Sequence, residues 1–171
     1  MGKAETKRVQ TPEPLLLFVC SANTCRSPMA AAIAARQAQT RAVALRVASA
    51  GTATKAGYPA AEHAQQALAE IGLSLADHRS LPLTRDMINE ATLVVAATAR
   101  HRDMLRQFFA AEAAKIRSFG DLTDGGDLSD PIGGDLSAFR QTRDLLCAHM
   151  PRIIASLQRQ GPALQPREPA R

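Results

Sequence analysis

Apolar and polar positions alternate in blocks along the chain, and the blocks predict strands and helices in turn. The continuous apolar run Leu15–Cys20 predicts a strand that is covered on both faces, as in parallel sheets. The Ala-rich stretch Met29–Gln39 predicts a helix, and Pro28 suits its first turn. Residues 43–51 predict a second strand, which ends at Gly51. The chain therefore begins in the order strand, helix, strand.

The same alternation continues through the rest of the chain. It predicts helices over residues 60–71, 84–89, 99–114 and 136–158, a strand over 92–97 and a weaker strand over 115–119. Residues 120–134 are rich in Asp, Gly and Pro and predict a loop. Alternating strands and helices predict an α/β fold with a parallel sheet, in which ligands bind beyond the carboxyl ends of the strands.

Length and charge favour one domain without a nucleic-acid partner. A chain of 171 residues with 46% hydrophobic content can bury a core without disulfide bonds. We expect a domain over residues 15–158, with disordered tails at 1–14 and 159–171. The net charge is +5, but residues 151–171 alone carry four basic and one acidic side chain. A basic excess in a tail that contains Pro and Arg does not predict a nucleic-acid-binding face.

The cysteines and the apolar runs favour a cytoplasmic protein. Cys20, Cys25 and Cys147 make an odd number, which does not suggest the disulfide framework of a secreted protein. The apolar run Leu15–Cys20 is too short for a signal sequence or a membrane span. We therefore expect a protein without a membrane anchor, and we favour a monomer.

The segment between the first strand and the first helix carries the candidate chemistry. A loop that enters a helix can turn its backbone N–H groups inward, and these groups with the helix N-terminus stabilise an oxyanion without a metal or cofactor. Arg26 adds a planar fork that can hold two phosphate oxygens. The same donors favour the thiolate of Cys20. We call Cys20–Arg26 the phosphate loop, and we predict that Cys20 is a covalent nucleophile.

Phosphoryl transfer to sulfur needs a proton donor for the leaving group, and a carboxylic acid on a nearby loop suits that role. The acidic loop offers Asp121, Asp124, Asp127, Asp130 and Asp135. We choose Asp130, because Pro131 restricts its backbone towards an extended conformation. Calcium binding is set aside, because the aspartate spacing does not fit an EF-hand and no glutamate closes the site.

Four motifs, VCSANTCRSPMA, SAGT, HRS and SDPIGG, together resemble the low-molecular-weight protein tyrosine phosphatase family. The resemblance covers roughly residues 15–158. It implies a central four-stranded parallel sheet with helices on both faces. It also implies Cys20 as the nucleophile, Arg26 as the phosphate clamp and Asp130 as the general acid and then base.

The resemblance further implies which residues line and shape the phosphate loop. Besides the catalytic residues, the loop would bind phosphate or substrate through Ser21, Ala22, Asn23, Thr24, Cys25 and Ser27. Ser27 would hydrogen-bond the Cys20 thiolate, and Asn23, Ser49 and His78 would form a supporting polar network. Ala22 stands where the family usually has glycine, which would matter if that position needs a positive φ.

Three residues bear on the choice of substrate. Thr24 resembles the protein-arginine phosphatase branch, whereas tyrosine phosphatases typically carry a bulkier apolar residue there. Ile132 stands where tyrosine phosphatases usually place an aromatic side chain against the substrate ring. Tyr58 could still supply an aromatic wall. We predict hydrolysis of phosphorylated protein side chains, with phosphoarginine favoured and phosphotyrosine as the alternative.

Two other activities are consistent with parts of this sequence pattern. A thioredoxin-coupled arsenate reductase shares this fold and loop but needs two further cysteines in the middle of the chain, where residues 60–119 have none. A phosphate-binding module without turnover would not need Cys20 or Asp130. Independently of the reaction, Cys25 could protect an oxidised Cys20 by forming a reversible disulfide, or it could simply pack.

Overall fold

A computed structural model describes residues 12–158 of the chain. The strands are β1 (Leu15–Cys20), β2 (Arg46–Gly51), β3 (Leu93–Ala96) and β4 (Ile116–Ser118). The α-helices are α1 (Arg26–Thr40), α2 (Glu62–Ala69), α3 (Arg85–Glu90), α4 (Ala99–Phe108), α5 (Phe119–Leu122) and α6 (Leu136–Gln158). A short 3-10 helix covers Ala110–Lys115.

The four strands form one parallel sheet in the order β2-β1-β3-β4, which confirms the predicted fold class. In the register of the sheet, Cys20 pairs with Gly51 and Val19 pairs with Ala96. The carboxyl ends of β1, β2 and β3 therefore meet at one edge. Loops that leave this edge can share a site, as open parallel sheets usually arrange.

Successive residues of β1 point to opposite faces of the sheet and bury both of them. Leu16 and Phe18 pack in a core with α1, α2 and α6. Leu15, Leu17 and Val19 pack in a second core with α3 and α4. The continuous apolar run of β1 follows from this arrangement, because neither face of the strand meets water.

The predicted helix over residues 99–114 is interrupted at Phe109, and its second part is a 3-10 helix instead of an α-helix. The helix α4 ends at Phe108, and Phe109 adopts φ −123° and ψ 58°, outside the helical region. Phe109 packs against the second core, and the Arg85 guanidinium lies 5.0 Å from the centre of its ring. Tertiary packing of this aromatic side chain thus ends α4, and the alanines that follow form the short 3-10 helix Ala110–Lys115.

The predicted loop over residues 120–134 begins too early. Residues up to Leu122 belong to α5, which a capping box starts. Ser118 Oγ accepts a hydrogen bond from Asp121 N, and Asp121 Oδ2 accepts one from Ser118 N. Two backbone donors are satisfied reciprocally, so that even a turn containing Gly120 becomes helical.

Both predicted tails lie outside the described residues, except for residues 12–14. Within residues 12–158, no helix is long and apolar enough to cross a membrane. The same region contains no group of three His, Cys, Asp or Glu side chains that could hold a metal ion.

A proline inside α6 changes the hydrogen bonding of that helix. Because Pro151 has no N–H, the carbonyl of Cys147, one turn earlier, loses its helical partner. The side chain of Gln37 on α1 supplies a substitute, since Gln37 Nε2 donates to Cys147 O at 3.1 Å. This hydrogen bond joins α1, the helix that follows the phosphate loop, to α6.

We expect Gln37→Met to lower the free energy of unfolding by about 1–2 kcal/mol, because it leaves the partly buried carbonyl of Cys147 without a donor. Urea unfolding followed by circular dichroism would measure this loss. Gln39→Met, at an exposed position of the same helix, is the control and should change stability by less than about 0.5 kcal/mol. Equal losses in the two variants would contradict the role given to Gln37.

Candidate active site

The phosphate loop turns its carbonyl groups away from its own centre. Cys20 O and Ser21 O accept from Thr52 N and Ala53 N, each at 2.9 Å, and Thr24 O accepts from Ala61 N at 2.9 Å. Within the described part of the chain, the N–H groups of residues 21–25 have no hydrogen-bond acceptor. Free inward N–H groups at the start of a helix form a concave anion-binding site.

A glycine at the end of β2 permits this loop to pack closely. A Cβ atom at Gly51 would lie 2.6 Å from Ser21 O and 2.8 Å from the Thr54 side chain. Backbone atoms cannot yield at such a distance, so any larger residue would displace the phosphate loop. The SAGT motif therefore shapes the phosphate loop in two ways: Gly51 leaves room for the loop backbone, and Ser49 contributes its side chain.

Asn23 holds the inside of the loop together and is fully buried. Its Nδ2 donates to Ser27 Oγ and to Ser49 Oγ, both at 2.9 Å, and its Oδ1 accepts from Leu81 N at 2.8 Å. His78 Nε2 lies 2.7 Å from Asn23 O. The structure thus brings together the residues predicted for the polar network.

The residue with positive φ in the loop is Asn23, at 56°, and not Ala22. Asparagine tolerates this left-handed conformation better than most side chains. Ala22 is exposed and needs no glycine-like backbone. The replacement of the usual glycine therefore leaves the shape of the loop intact.

Cys20 is buried at the end of β1, and its Sγ lies 3.0 Å from Ser27 Oγ in the first turn of α1. Ser27 Oγ already accepts from Asn23 Nδ2, so its own hydrogen is free to be donated. The Ala50 carbonyl is the other acceptor in reach, at 3.4 Å. The shorter contact with sulfur supports a hydrogen bond that would stabilise a thiolate at Cys20.

The second cysteine of the loop has a different environment. Cys25 is buried, and this burial is the main cause that raises the pKa of its thiol to about 11, against a weaker lowering by a hydrogen bond from Thr24. Thr24 Oγ1 lies 3.7 Å from Cys25 Sγ. Cys25 is therefore a neutral thiol at physiological pH. Cys20 and Cys25 are both free, and the protective disulfide stays a prediction.

Arg26 begins α1 and is almost completely buried, with 4% of its surface exposed. Its Nη2 donates to Asp130 Oδ2 at 2.6 Å, and its Nη1 donates to Leu128 O at 3.3 Å. The Nε–H group is buried and has no partner within the described residues. Because a buried donor without a partner is costly, this nitrogen is suited to an oxygen of a ligand.

Of the five candidate acids, Asp130 is the one that contacts the phosphate loop. It is about half exposed, and its Oδ1 accepts from Ile132 N at 3.2 Å. Each of the other four aspartates holds a helix end or an arginine: Asp121 caps α5, Asp124 pairs with Arg152, Asp127 accepts from Ala99 N in α4, and Asp135 accepts from Ala138 N in α6. The geometry thus agrees with the choice made from the Asp-Pro sequence.

Known proteins resemble this chain in sequence and in fold. The family model for the low molecular weight phosphotyrosine protein phosphatases matches residues 15–163. The chain belongs to this family. The expected resemblance is therefore confirmed over the whole region that contains its four motifs, and protein phosphatase activity follows as the general activity of the chain.

The relatives of this phosphatase include both substrate branches. A protein-arginine-phosphatase of Geobacillus stearothermophilus is 39% identical over 146 residues, which cover 84% of this chain and 95% of the relative. The low molecular weight protein-tyrosine phosphatase A of Mycobacterium tuberculosis is 34% identical and covers 88% of this chain and 99% of its own. A solved YwlE arginine phosphatase, a Cys-to-Ser mutant with a phosphorylated active-site serine, is 34% identical with a TM-score of 0.80, and the match covers 84% of this chain and 95% of that one.

The two candidate substrate walls of this phosphatase both face solvent. Tyr58 is 53% exposed and Ile132 is 61% exposed. The backbone of Tyr58 is fixed to Ser80, because Tyr58 N donates to Ser80 Oγ at 3.0 Å and Tyr58 O accepts from Ser80 N at 2.8 Å. Ile132 directly follows the Asp130-Pro131 pair. Both side chains are available to a bound substrate.

A histidine that the sequence motifs do not include also contacts the phosphate loop. His101, in the first turn of α4, places its Nε2 atom 2.9 Å from Ser21 Oγ. No spacing in the sequence links these two residues, which are separated by 80 positions. The available signal was positional, since His101 follows the carboxyl end of the buried strand β3, at the same edge of the sheet as Cys20.

Proposed function

We propose that this protein hydrolyses phosphorylated protein side chains through a cysteinyl-phosphate intermediate on Cys20, with phosphoarginine preferred to phosphotyrosine. The observation that carries the proposal is the buried guanidinium of Arg26. It lies at the start of α1, with an unpartnered Nε–H, beside a loop whose N–H groups are also free. Such a set of donors fits a phosphate dianion and the charge that develops in its transition state.

The proposed reaction has two steps. The Cys20 thiolate attacks phosphorus, the bond from phosphorus to the substrate nitrogen or oxygen breaks, and the acid form of Asp130 gives its proton to that leaving atom. The Asp130 carboxylate then takes a proton from water, whose oxygen attacks phosphorus and breaks the S–P bond. Inorganic phosphate leaves, and the thiolate is regenerated. The phosphorylated serine in the related Cys-to-Ser mutant supports a covalent step.

Three observations support phosphoarginine as the preferred substrate. The relatives from Geobacillus stearothermophilus and Bacillus subtilis, at 39% and 37% identity, are protein-arginine-phosphatases. Thr24 places a hydroxyl, and not a bulky apolar group, in the phosphate loop. A guanidinium carries only N–H donors, so an oxygen acceptor at the rim of the site suits it. Ile132, in turn, offers no aromatic ring for a phosphotyrosine.

We expect Thr24→Ile to lower kcat/KM for a phosphoarginine peptide by about tenfold or more, because it removes the hydroxyl and fills its space. Hydrolysis of phosphoarginine and phosphotyrosine peptides would be compared side by side under reducing conditions. Thr40→Ile, at the exposed end of α1, is the matched control and should leave both rates unchanged. The ratio of the two substrates, and not either rate alone, reports the preference.

Phosphotyrosine is the second candidate, and the exposed ring of Tyr58 is the observation that favours it. If wild-type protein prefers the phosphotyrosine peptide and Thr24→Ile does not change that order, the phosphoarginine preference is wrong while the Cys20 mechanism stands. If the wild type hydrolyses neither peptide, the proposal as a whole fails.

A further inference from the structure

His101 links the phosphate loop to the start of α4 through two hydrogen bonds. Its Nε2 lies 2.9 Å from Ser21 Oγ, and its Nδ1 lies 2.7 Å from Thr98 Oγ1. Thr98 is the N-cap of α4 and also accepts from His101 N at 3.2 Å. Ser21 directly follows the nucleophile Cys20. The imidazole therefore forms a short relay from a helix cap to the residue beside the candidate nucleophile.

The surroundings of His101 favour the neutral ring. Burial lowers the pKa of the imidazole, and the positive charge of Arg26 lowers it further. After these two causes, Asp130 raises the pKa, Arg100 lowers it and Asp127 raises it. Because an imidazole has an ordinary pKa of about 6.5, a lowered value leaves the ring uncharged at neutral pH. A neutral ring has one donor nitrogen and one acceptor nitrogen.

Two arrangements of hydrogens satisfy this relay. With the proton on Nδ1, the ring donates to Thr98 and accepts from Ser21, and the Thr98 hydroxyl hydrogen is left over. With the proton on Nε2, Thr98 donates to Nδ1, the ring donates to Ser21 Oγ, and the Ser21 hydroxyl hydrogen is left over. A phosphate held by the loop offers an acceptor next to Ser21, and so it favours the second arrangement.

We propose that His101 is a positioning residue of the phosphate loop: its Nε2–H donates to Ser21 Oγ and turns the Ser21 hydroxyl hydrogen towards the bound phosphoryl group. Ser21 then adds a side-chain donor to those of the loop backbone and Arg26. The inference rests on the proposed phosphatase site, because it assumes that the loop binds phosphate. It does not depend on the choice between phosphoarginine and phosphotyrosine.

The first test combines substitutions at both ends of this hydrogen bond. Ser21→Ala and His101→Ala should each weaken inhibition by inorganic phosphate and lower kcat/KM for an aryl phosphate by about tenfold, as for a lost hydrogen bond to a charged group. The double variant should be no worse than either single variant, since both remove the same donor. His101→Gln keeps an N–H close to the position of Nε2, and it should restore near wild-type values.

Several outcomes would overturn the role of His101. Losses that multiply in the double variant, or a His101→Gln variant as impaired as His101→Ala, would show that His101 does not act through Ser21. Thermal unfolding of each variant separates these effects from a loss of folded protein. If wild-type protein neither binds inorganic phosphate nor hydrolyses the aryl phosphate, the proposed function fails first, and this inference fails with it.

A second measurement needs no variant. Nitrogen-15 NMR of the imidazoles in wild-type protein at neutral pH identifies which ring nitrogen of His101 carries the proton. With saturating inorganic phosphate we expect the Nε2–H form. A proton that stays on Nδ1 in the phosphate complex would overturn the proposal even if His101→Ala does not fold.

Discussion

Replacing Cys20 by serine is expected to lower kcat by at least about four orders of magnitude while phosphate binding persists. Removal of a covalent nucleophile in other enzymes has effects of this size, and the serine hydroxyl, which stays protonated at neutral pH, is a much weaker nucleophile than a thiolate. The proposed donors to phosphate do not include the thiol: they are the loop N–H groups, the Arg26 guanidinium and the Ser21 hydroxyl. Substrate hydrolysis and binding of inorganic phosphate would be measured separately for Cys20→Ser.

The matched control is Cys147→Ser. Cys147 lies half-buried on α6, and its carbonyl contacts Gln37. This exchange should leave kcat unchanged within about twofold, since a single atom outside the site is altered. Hydrolysis by Cys20→Ser at a rate near that of the wild type would rule out the covalent mechanism. Loss of phosphate binding together with hydrolysis would instead mean that the exchange has disturbed the loop.

The parts of the fold that the sequence predicts well are those in which local pattern and tertiary environment agree. β1 is predicted at its observed bounds, because Leu15–Cys20 is apolar at every position and is buried on both faces. The long helix α6 also begins as predicted and continues to Gln158, the last residue that the structure describes. At Phe109 the local sequence pattern and the tertiary environment favour different structures. The sequence continues with helix-forming alanines, but packing of the phenyl ring ends α4 early.

The difference between local pattern and tertiary environment also explains which residues of the candidate site the sequence predicts and which it does not. Cys20, Arg26 and Asn23 lie within one short loop, so their spacing carries the information. Asp130 could be predicted because its neighbour Pro131 limits the backbone conformation of Asp130. His101 meets Ser21 only because β1 and β3 pair in the sheet, and the sequence does not give that pairing directly. Contacts between distant segments depend on topology, which a local pattern does not contain.

The ion pair between Arg26 and Asp130 connects the proposed phosphate clamp with the proposed general acid. Asp130 Oδ2 accepts a hydrogen bond from Nη2 of the guanidinium, while Nε has no partner among residues 12–158. A phosphate that binds both Nε and Nη2 would take over that hydrogen bond and release Asp130 towards the leaving group. The exposed acid side chain, about 43% accessible, has room for this movement, whereas the buried arginine does not. Substrate binding would therefore itself position the Asp130 carboxyl group near the leaving group.

Replacing Arg26 by lysine should lower kcat by about 100- to 1,000-fold, the range found when one transition-state donor is removed elsewhere. Lysine keeps the positive charge but has neither the planar fork nor an Nε–H at the unpartnered position. Steady-state kinetics would show this loss mainly in kcat, because the loop N–H groups still bind the ground-state phosphate. Arg46→Lys, in an exposed ion pair with Glu90, is the control and should leave kcat unchanged. A lysine variant at position 26 with kcat within tenfold of the wild type would mean that charge alone suffices, and that the forked geometry of Arg26 does not govern the transition state.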